Sequence, residues 1–266
     1  MPSDSSVKYI IKNKCSVSRY GEGEFIVMGG GANGFQKEDL ALAKRLQEVL
    51  KNPIDNHIIG IPYTFVDLSP FRLSSKIFIL EYLLSFGEHD LLPFLNPNLF
   101  YIDSLFTRFY MPYRNKIYGD KYVELLKKIW DNRNVLIVEG RYSRLGIGND
   151  LFNNTKSIIR ILCPEKNAFD KYNEILEQTK KNGNNKLILI ALGMTATVLA
   201  YDLAKIGYQA IDIGHIDIEY EWFRMKATEK CAIPNKAVNE VKNGYLCSSL
   251  LDEKYESQIV AEIYDS

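Results

Sequence analysis
The chain predicts an α/β protein, a Rossmann-like and mostly parallel sheet with helices on both faces. Three observations carry this. Four apolar runs, at 134–139, 157–163, 186–192 and 209–213, are continuous rather than alternating, as in strands covered on both faces. Helical spacing of apolar residues at 167–179 and 195–206 separates the later runs. The runs end in loops rich in glycine and polar residues, which is where open parallel sheets hold their ligands.

Taken in order, the opening MPSDSSVKYIIKNK reads as a polar tail without an apolar stretch of signal-peptide length. Phe25, Ile26, Val27 and Met28 form a short apolar run before Gly29, Gly30 and Gly31, which predicts a strand between two glycine-rich loops. The triple glycine lacks the lysine and hydroxyl residue of a Walker phosphate loop, so it counts as a turn. Leu40, Ala43, Leu46, Val49 and Leu50 give a helix over 36–50, stopped by Asn52-Pro53. A strand at 57–61, a helix at 74–86 and a strand at 99–102 follow. Asp103 is placed to cap a helix over 103–110. Arg108 and Arg114 stand among Phe106, Phe109, Tyr110 and Tyr113, which suits an aromatic core with arginines reaching outward or the wall of a sugar or base pocket. An amphipathic helix covers 122–130. The result is one domain, 1–266, with its core at 14–223 and a C-terminal helical and tail extension at 224–266 that packs over the site or pairs with another chain.

Composition excludes several classes. Lys plus Arg and Asp plus Glu each number 33, so there is no global basic field to hold nucleic acid or an anionic membrane. No stretch approaches the roughly 18 apolar residues of a membrane span. Cys15, Cys163, Cys231 and Cys247 lack metal-ligand spacing and read as free thiols in a cytoplasmic protein.

Three loops carry the candidate chemistry. After the run ending at Glu139 come Arg141, Arg144, Gly146 and the pair Asn149-Asp150, where guanidinium groups and glycine-freed amides suit an anion. After Leu192 come Gly193 and Thr195, with Thr195 placed to cap a helix whose N-terminus would face a phosphate. After Ile213 come His215, Asp217, Glu219 and Glu221, whose alternation predicts one acidic side of an extended segment. Asp217 and Glu219 then clamp a hard divalent cation, or the four face water as a polar strand edge. An NAD(P)-dependent oxidoreductase is the competing reading of such a sheet, although no G-x-G-x-x-G opens a helix after the first strand. A non-catalytic nucleotide-sugar scaffold is the other.

The blocks SRYGEGE, NVLIVEGRYSRLGIGNDLF, ALGMTATVLAYDL and GYQAIDIGHIDIEYEW, in this order from about Ser16 to Phe223, resemble the bacterial GT-D fold glycosyltransferases once catalogued as DUF1792. The resemblance implies a GT-D type Rossmann-like fold and transfer of a hexose, glucose in characterised members, from a UDP-sugar. The acceptor it implies is a glycan or glycoprotein, such as an O-glycosylated serine-rich adhesin, or a polysaccharide. It implies Mn2+ or Mg2+ as cofactor, held by the D-x-E motif at Asp217 and Glu219. The family's N-terminal motif falls on Arg19, Gly21, Glu22 and Gly23, with Glu22 where an aspartate is usual. Glu22, Glu24, His215 and Glu221 are the candidate bases for the acceptor hydroxyl. The implied partners leave room for a homo-oligomer.

Overall fold
The computed structural model describes residues 1–266 apart from 33, 35, 87–91, 117–118, 243, 245–251 and 265–266. Cys247 lies outside the described residues. Eight described strands form one sheet: β1 Ser16–Arg19, β2 His57–Ile61, β3 Ile102–Asp103, β4 Asn134–Gly140, β5 Ser157–Cys163, β6 Leu187–Ala191, β7 Gln209–Asp212 and β8 Ile259–Glu262. Their order is β3-β2-β1-β7-β6-β4-β5-β8, and every described ladder between them is parallel. The helices are α1 Ser3–Asn13, α2 Glu22–Met28, α3 Leu40–Lys51, α4 Leu73–Phe86, α5 Gly119–Lys127, α6 Tyr172–Gly183, α7 Met194–Lys205, α8 Ile216–Arg224 and α9 Glu253–Gln258.

The four apolar runs of the sequence become β4 to β7, and their continuity has the expected cause. Val135, Ile137, Leu187, Leu189 and Ile211 face α1 and α5, while Leu136, Val138, Ile188, Ile190 and Ala210 face α6 and α7. The chain leaves β1 toward β2 and β3 at one edge and leaves β7 for β8 at the other. A crevice therefore opens between the C-terminal ends of β1 and β7.

Several expectations are corrected. The opening tail is helix α1, which buries Ser6, Val7 and Ile10. The run Phe25–Met28 is not a strand but part of α2: Glu24 Oε2 accepts from the Gly21 amide at 2.8 Å, and Phe25, Val27 and Met28 pack with Leu42 and Leu46 of α3. Four apolar residues fit a helical turn as well as a strand. The helix expected over 103–110 is one 3-10 turn, Ser104–Thr107, although Asp103 caps it as expected by accepting from the Leu105 amide.

The largest correction concerns residues 215–221: 216–221 are helical and not extended, with His215 as the N-cap. Ile216 and Tyr220 face one apolar cluster while Ile218 and Trp222 face another, so α8 is apolar on two sides. Pairs four residues apart share a helix face, and two such pairs interleaved with acids look like period two. The expectation of His215, Asp217, Glu219 and Glu221 on one side of a strand fails for this reason. Asp217 and Glu221 share a face, and Glu219 turns elsewhere.

The extension 224–266 is integrated into the sheet. β8 pairs with β5, and the Tyr255 ring of α9 lies 4.8 Å from the Arg160 guanidinium. Arg160 is buried and reaches Glu139 at 2.5 Å and Gln258 at 2.8 Å, while Glu139 also accepts from the Leu145 amide at 2.7 Å. Burial pushes the Glu139 carboxyl upward, against the pull of Arg160 and that amide.

Candidate active-site cleft
A cleft of about 870 Å³ lies over the C-terminal ends of the strands. A second hollow, of about 590 Å³, sits near the opposite ends with Arg133, Asn184 and Gln209 in its wall and no carboxylate among its described lining. Open parallel sheets bind ligands at C-terminal strand ends, so the first is the candidate site.

The β1 and β7 ends are tied by Arg19. Its Nε donates to the Asp212 carbonyl and its Nη2 to Asp212 Oδ1, both at 3.0 Å, while Nη1 reaches the Ser104 carbonyl at 3.1 Å and Thr107 Oγ1 at 2.7 Å. Gly214, at φ +45°, leaves the room for this: a Cβ there would lie 1.8 Å from Arg19 Nη2. Gly214→Ala is therefore expected to expel the guanidinium and to lower unfolding stability by about 2–4 kcal/mol, because Asp212 stays buried without its partner. Chemical denaturation of the variant checks this.

Glu24 lines the same crevice beside Asp212, and burial, then the Asp212 charge, pushes its carboxyl up to about 8. A folded-state value raised from 4.5 favours the protonated form, so this contribution to stability is full below about pH 4.5 and is lost as pH rises through about 8. Glu24→Gln has no proton to lose. Its stability relative to wild type is expected to rise steadily across that window, which denaturation at several pH values would show.

α7 opens at the cleft with Gly193 as its N-cap, φ 53° and ψ −139°, and with no side-chain cap. The expectation that Thr195 caps this helix is corrected: its hydroxyl is buried and makes no hydrogen bond. The backbone turn at Gly193, which only glycine adopts readily, starts the helix instead.

The loop after β4 also behaves differently from expectation. Its glycine-freed amide and its asparagine do bind an anion, but that anion is the protein's own: Gly146 N and Asn149 Nδ2 each donate to Asp217 Oδ1 at 2.8 Å, and Asn149 Nδ2 reaches Glu221 Oε1 at 2.7 Å. Buried Lys236 completes the arrangement, 2.5 Å from Asp217 Oδ2 and 3.1 Å from Glu221 Oε1. Arg141 is exposed between the rings of Tyr142 and Tyr264, at 5.8 and 4.8 Å. Arg144 is buried and donates to the Asn235 carbonyl at 2.8 Å. Asp150 accepts from Tyr220 at 2.6 Å and Lys127 at 2.8 Å, which hold it down to about 2. Arg141, Arg144, Gly146, Asn149, Asp150, Thr195 and Glu221 are not among the described residues lining the cleft, whereas Arg19, Gly21, Glu22, Gly193, His215, Asp217 and Glu219 are.

Glu219 is fully buried at the cleft wall. Its Oε2 accepts from the Tyr110 and Met111 amides at 3.0 and 2.8 Å, while Oε1 makes no hydrogen bond and lies 3.6 Å from Arg108 Nη1. Burial pushes this carboxyl upward, opposed by Arg108 and the two amides. His215 Nε2 donates to Asn239 Oδ1 at 2.5 Å, and the imidazole is held down to about 4 by burial and then by Arg108, so it is neutral near pH 7. Arg108, Lys230, Asn239 and Glu240 are cleft residues that no sequence spacing marked as a group. Arg108 stood out only by its aromatic surroundings.

Among the described residues no cluster of three or more His, Cys, Asp or Glu is grouped so as to hold a metal by itself. No helix among them is long and apolar enough to cross a membrane.

The comparisons with known proteins agree with this architecture. The model of the glycosyltransferase GT-D fold family matches residues 17–241. Two solved structures of the domain of unknown function 1792 superpose with TM-scores of 0.95 and 0.94, each 40% identical and covering 99% of this chain and 95% of its own; one is described as a distinct glycosyltransferase fold. A glycosyltransferase with this domain from Streptococcus sanguinis superposes at 0.94 with 35% identity, over 99% of this chain and 98% of that one. The chain is also 36% identical over 263 residues to a probable glycosyl transferase, Gly, of Streptococcus gordonii, covering 98% of this chain and 38% of that protein. It is 35% identical over 263 residues to glycosyltransferase GlyD of Streptococcus pneumoniae, covering 98% of this chain and 32% of that one. It thus spans about a third of the length of these curated relatives. With the parallel sheet, the acidic cleft at its C-terminal edge and a family match over most of the sequence, the chain belongs to the GT-D fold glycosyltransferases.

Proposed function
We propose that this chain transfers a hexose, glucose by preference, from a UDP-sugar to a hydroxyl of a glycan, on an O-glycosylated bacterial surface protein or a polysaccharide. In this reading it works in the cytoplasm with Mn2+ or Mg2+ held at Asp217 and Glu219. One observation carries the need for a cation. Among the described residues the cleft is lined by seven carboxylates, Glu22, Glu24, Glu165, Asp212, Asp217, Glu219 and Glu240, against the four cations Arg19, Arg72, Arg108 and Lys230. Even with Glu24 protonated, a diphosphate entering such a lining needs a counter-charge.

Glu219 suits a hard cation. Carboxylate oxygens are the ligands Mg2+ and Mn2+ prefer, and Glu219 Oε1 is a buried carboxylate oxygen without a hydrogen bond. Asp217 has Oδ1 engaged by Gly146 and Asn149 and Oδ2 by the Lys236 ammonium, so a metal there would take the ammonium's place. When bound, the metal supplies positive charge to the departing diphosphate. The protein's own residues do the rest: the α7 N-terminus at Gly193 faces the cleft and favours negative charge there. Arg19 keeps the ends of β1 and β7 at fixed spacing. Glu22, exposed on the cleft wall, is the base we assign to the acceptor hydroxyl, since Glu221 is engaged by Lys236 and Asn149 and His215 is a weak base.

A thermal-shift panel of nucleotide sugars with and without manganese tests the reading, because a ligand of the native state raises its melting temperature by mass action. UDP-sugars with manganese are expected to raise it and GDP- or CMP-sugars are not. Stabilisation by NADH instead would overturn the donor. Slow release of glucose from UDP-glucose without acceptor would distinguish an enzyme from a scaffold.

A further inference from the structure
Glu240 sits where an anion would be expected. Its carboxylate makes close ion pairs with Arg108 Nη1 and Lys230 Nζ, and its Oε1 lies 3.7 Å from His215 Nε2, all at the wall of the cleft. Each oxygen meets one cation, Oε1 the Arg108 guanidinium and Oε2 the Lys230 ammonium. The carboxylate is therefore held mainly by charge, which another anion can supply. The same Arg108 Nη1 also lies 3.6 Å from Glu219 Oε1, so the arginine serves two acids.

We propose that Arg108 and Lys230 form the subsite for the donor's diphosphate, and that Glu240 occupies this subsite until the diphosphate displaces it. The proposal rests on the reading of the donor as a nucleoside diphosphate sugar and adds where its phosphates go. An arginine offers a planar fork of donors that matches two phosphate oxygens, and a lysine adds a mobile point charge. The exchange keeps both cations paired throughout, so the half-buried Arg108 is never left uncompensated. A diphosphate on Arg108 would also lie next to Glu219, the residue with an oxygen to spare for a cation.

The segment that leads into Glu240 is fixed, so the exchange calls for movement of the side chain rather than of the segment before it. Ile233 and Val238 are buried against Trp222 and Ile218, Lys236 is locked to Asp217 and Glu221, and the Ala237 amide donates to the Tyr142 carbonyl at 2.8 Å. Arg108, His215 and Lys230 outweigh burial and hold the Glu240 carboxyl down to about 2, so it remains an anion across the working range of pH.

Calorimetric titration of the intact chain with UDP, in the presence of manganese, tests the exchange. Glu240→Gln removes the competing charge and is expected to tighten UDP about tenfold, whereas Lys230→Gln and Arg108→Met weaken it by about tenfold or more. Inorganic pyrophosphate is expected to compete with UDP in wild type and to lose this competition in Lys230→Gln. Lys230 is half-exposed, so that variant is expected to melt like wild type and carries the test if Arg108→Met folds poorly. UDP binding that is unchanged or weaker in Glu240→Gln, or unchanged in Lys230→Gln, overturns the subsite while leaving the donor reading intact. A wild-type chain that binds UDP in neither condition overturns both.

Discussion
Arg160→Met is expected to cost about 3–5 kcal/mol of stability, the usual effect of stripping a buried carboxylate of its partner. Glu139 is fully buried, and after the change only the Leu145 amide would remain of the two partners described for it. The loss extends beyond the pair, because Arg160 also binds Gln258 and lies against the Tyr255 ring, so α9 loses its side-chain tie to β5 while the β5–β8 backbone ladder stays. For a chain of this size the melting temperature should fall by roughly 10 °C. Arg160→Met combined with Glu139→Leu should recover part of the loss, since an apolar pair leaves no charge buried. A double variant no more stable than the single one would show that the attachment of α9, rather than the unpaired acid, dominates.

Glu219→Gln is expected to lower transfer by about 100-fold or more with little loss of fold. The amide oxygen can still accept from Tyr110 and Met111, as Oε2 does now. On the other side an NH2 group would replace Oε1 and face Arg108, donor against donor, and the negative charge offered to a cation would be gone. Asp217→Asn differs in kind: it weakens the hold on buried Lys236, so it should lower stability as well as activity. Steady-state transfer and thermal melting on the same variants separate the two effects. Full activity in Glu219→Gln would remove that residue from the reaction.

The parts of this fold that the sequence announces are those whose surroundings are symmetrical. β4 to β7 are covered by helices on both faces, so Leu136 and Ile137 are equally apolar although they point oppositely, and the run is continuous. α8 misleads for a related reason. It too is apolar on two sides, and Ile216, Ile218, Tyr220 and Trp222 then alternate with acids just as a half-buried strand would. α2 is too short for its period to show, and its start depends on Glu24 reaching back to Gly21. β8 is an edge strand held by β5, and its apolar run, Ile259, Val260 and Ala261, is too short to announce a strand.

The candidate site divides along the same line. Gly193 and Asp217 follow strand ends, so locating the strands locates them, whereas Arg19 ends β1, a four-residue strand with two serines that no apolar run announces. The loop at 139–150 has the chemistry of an anion site, but its composition cannot tell a ligand's anion from Asp217 of the same chain. Lys230 and Glu240 belong to an irregular segment, where charge carries no period. Their meeting with Arg108, more than a hundred residues earlier, is a consequence of the tertiary fold alone.

The most direct test of the whole account is a crystal structure of the chain with UDP and manganese, with the ion located by its anomalous scattering. The account predicts the nucleotide in the cleft between the ends of β1 and β7 and the ion against Glu219 and Asp217. A manganese peak away from both carboxylates, with UDP bound and ordered, would contradict it.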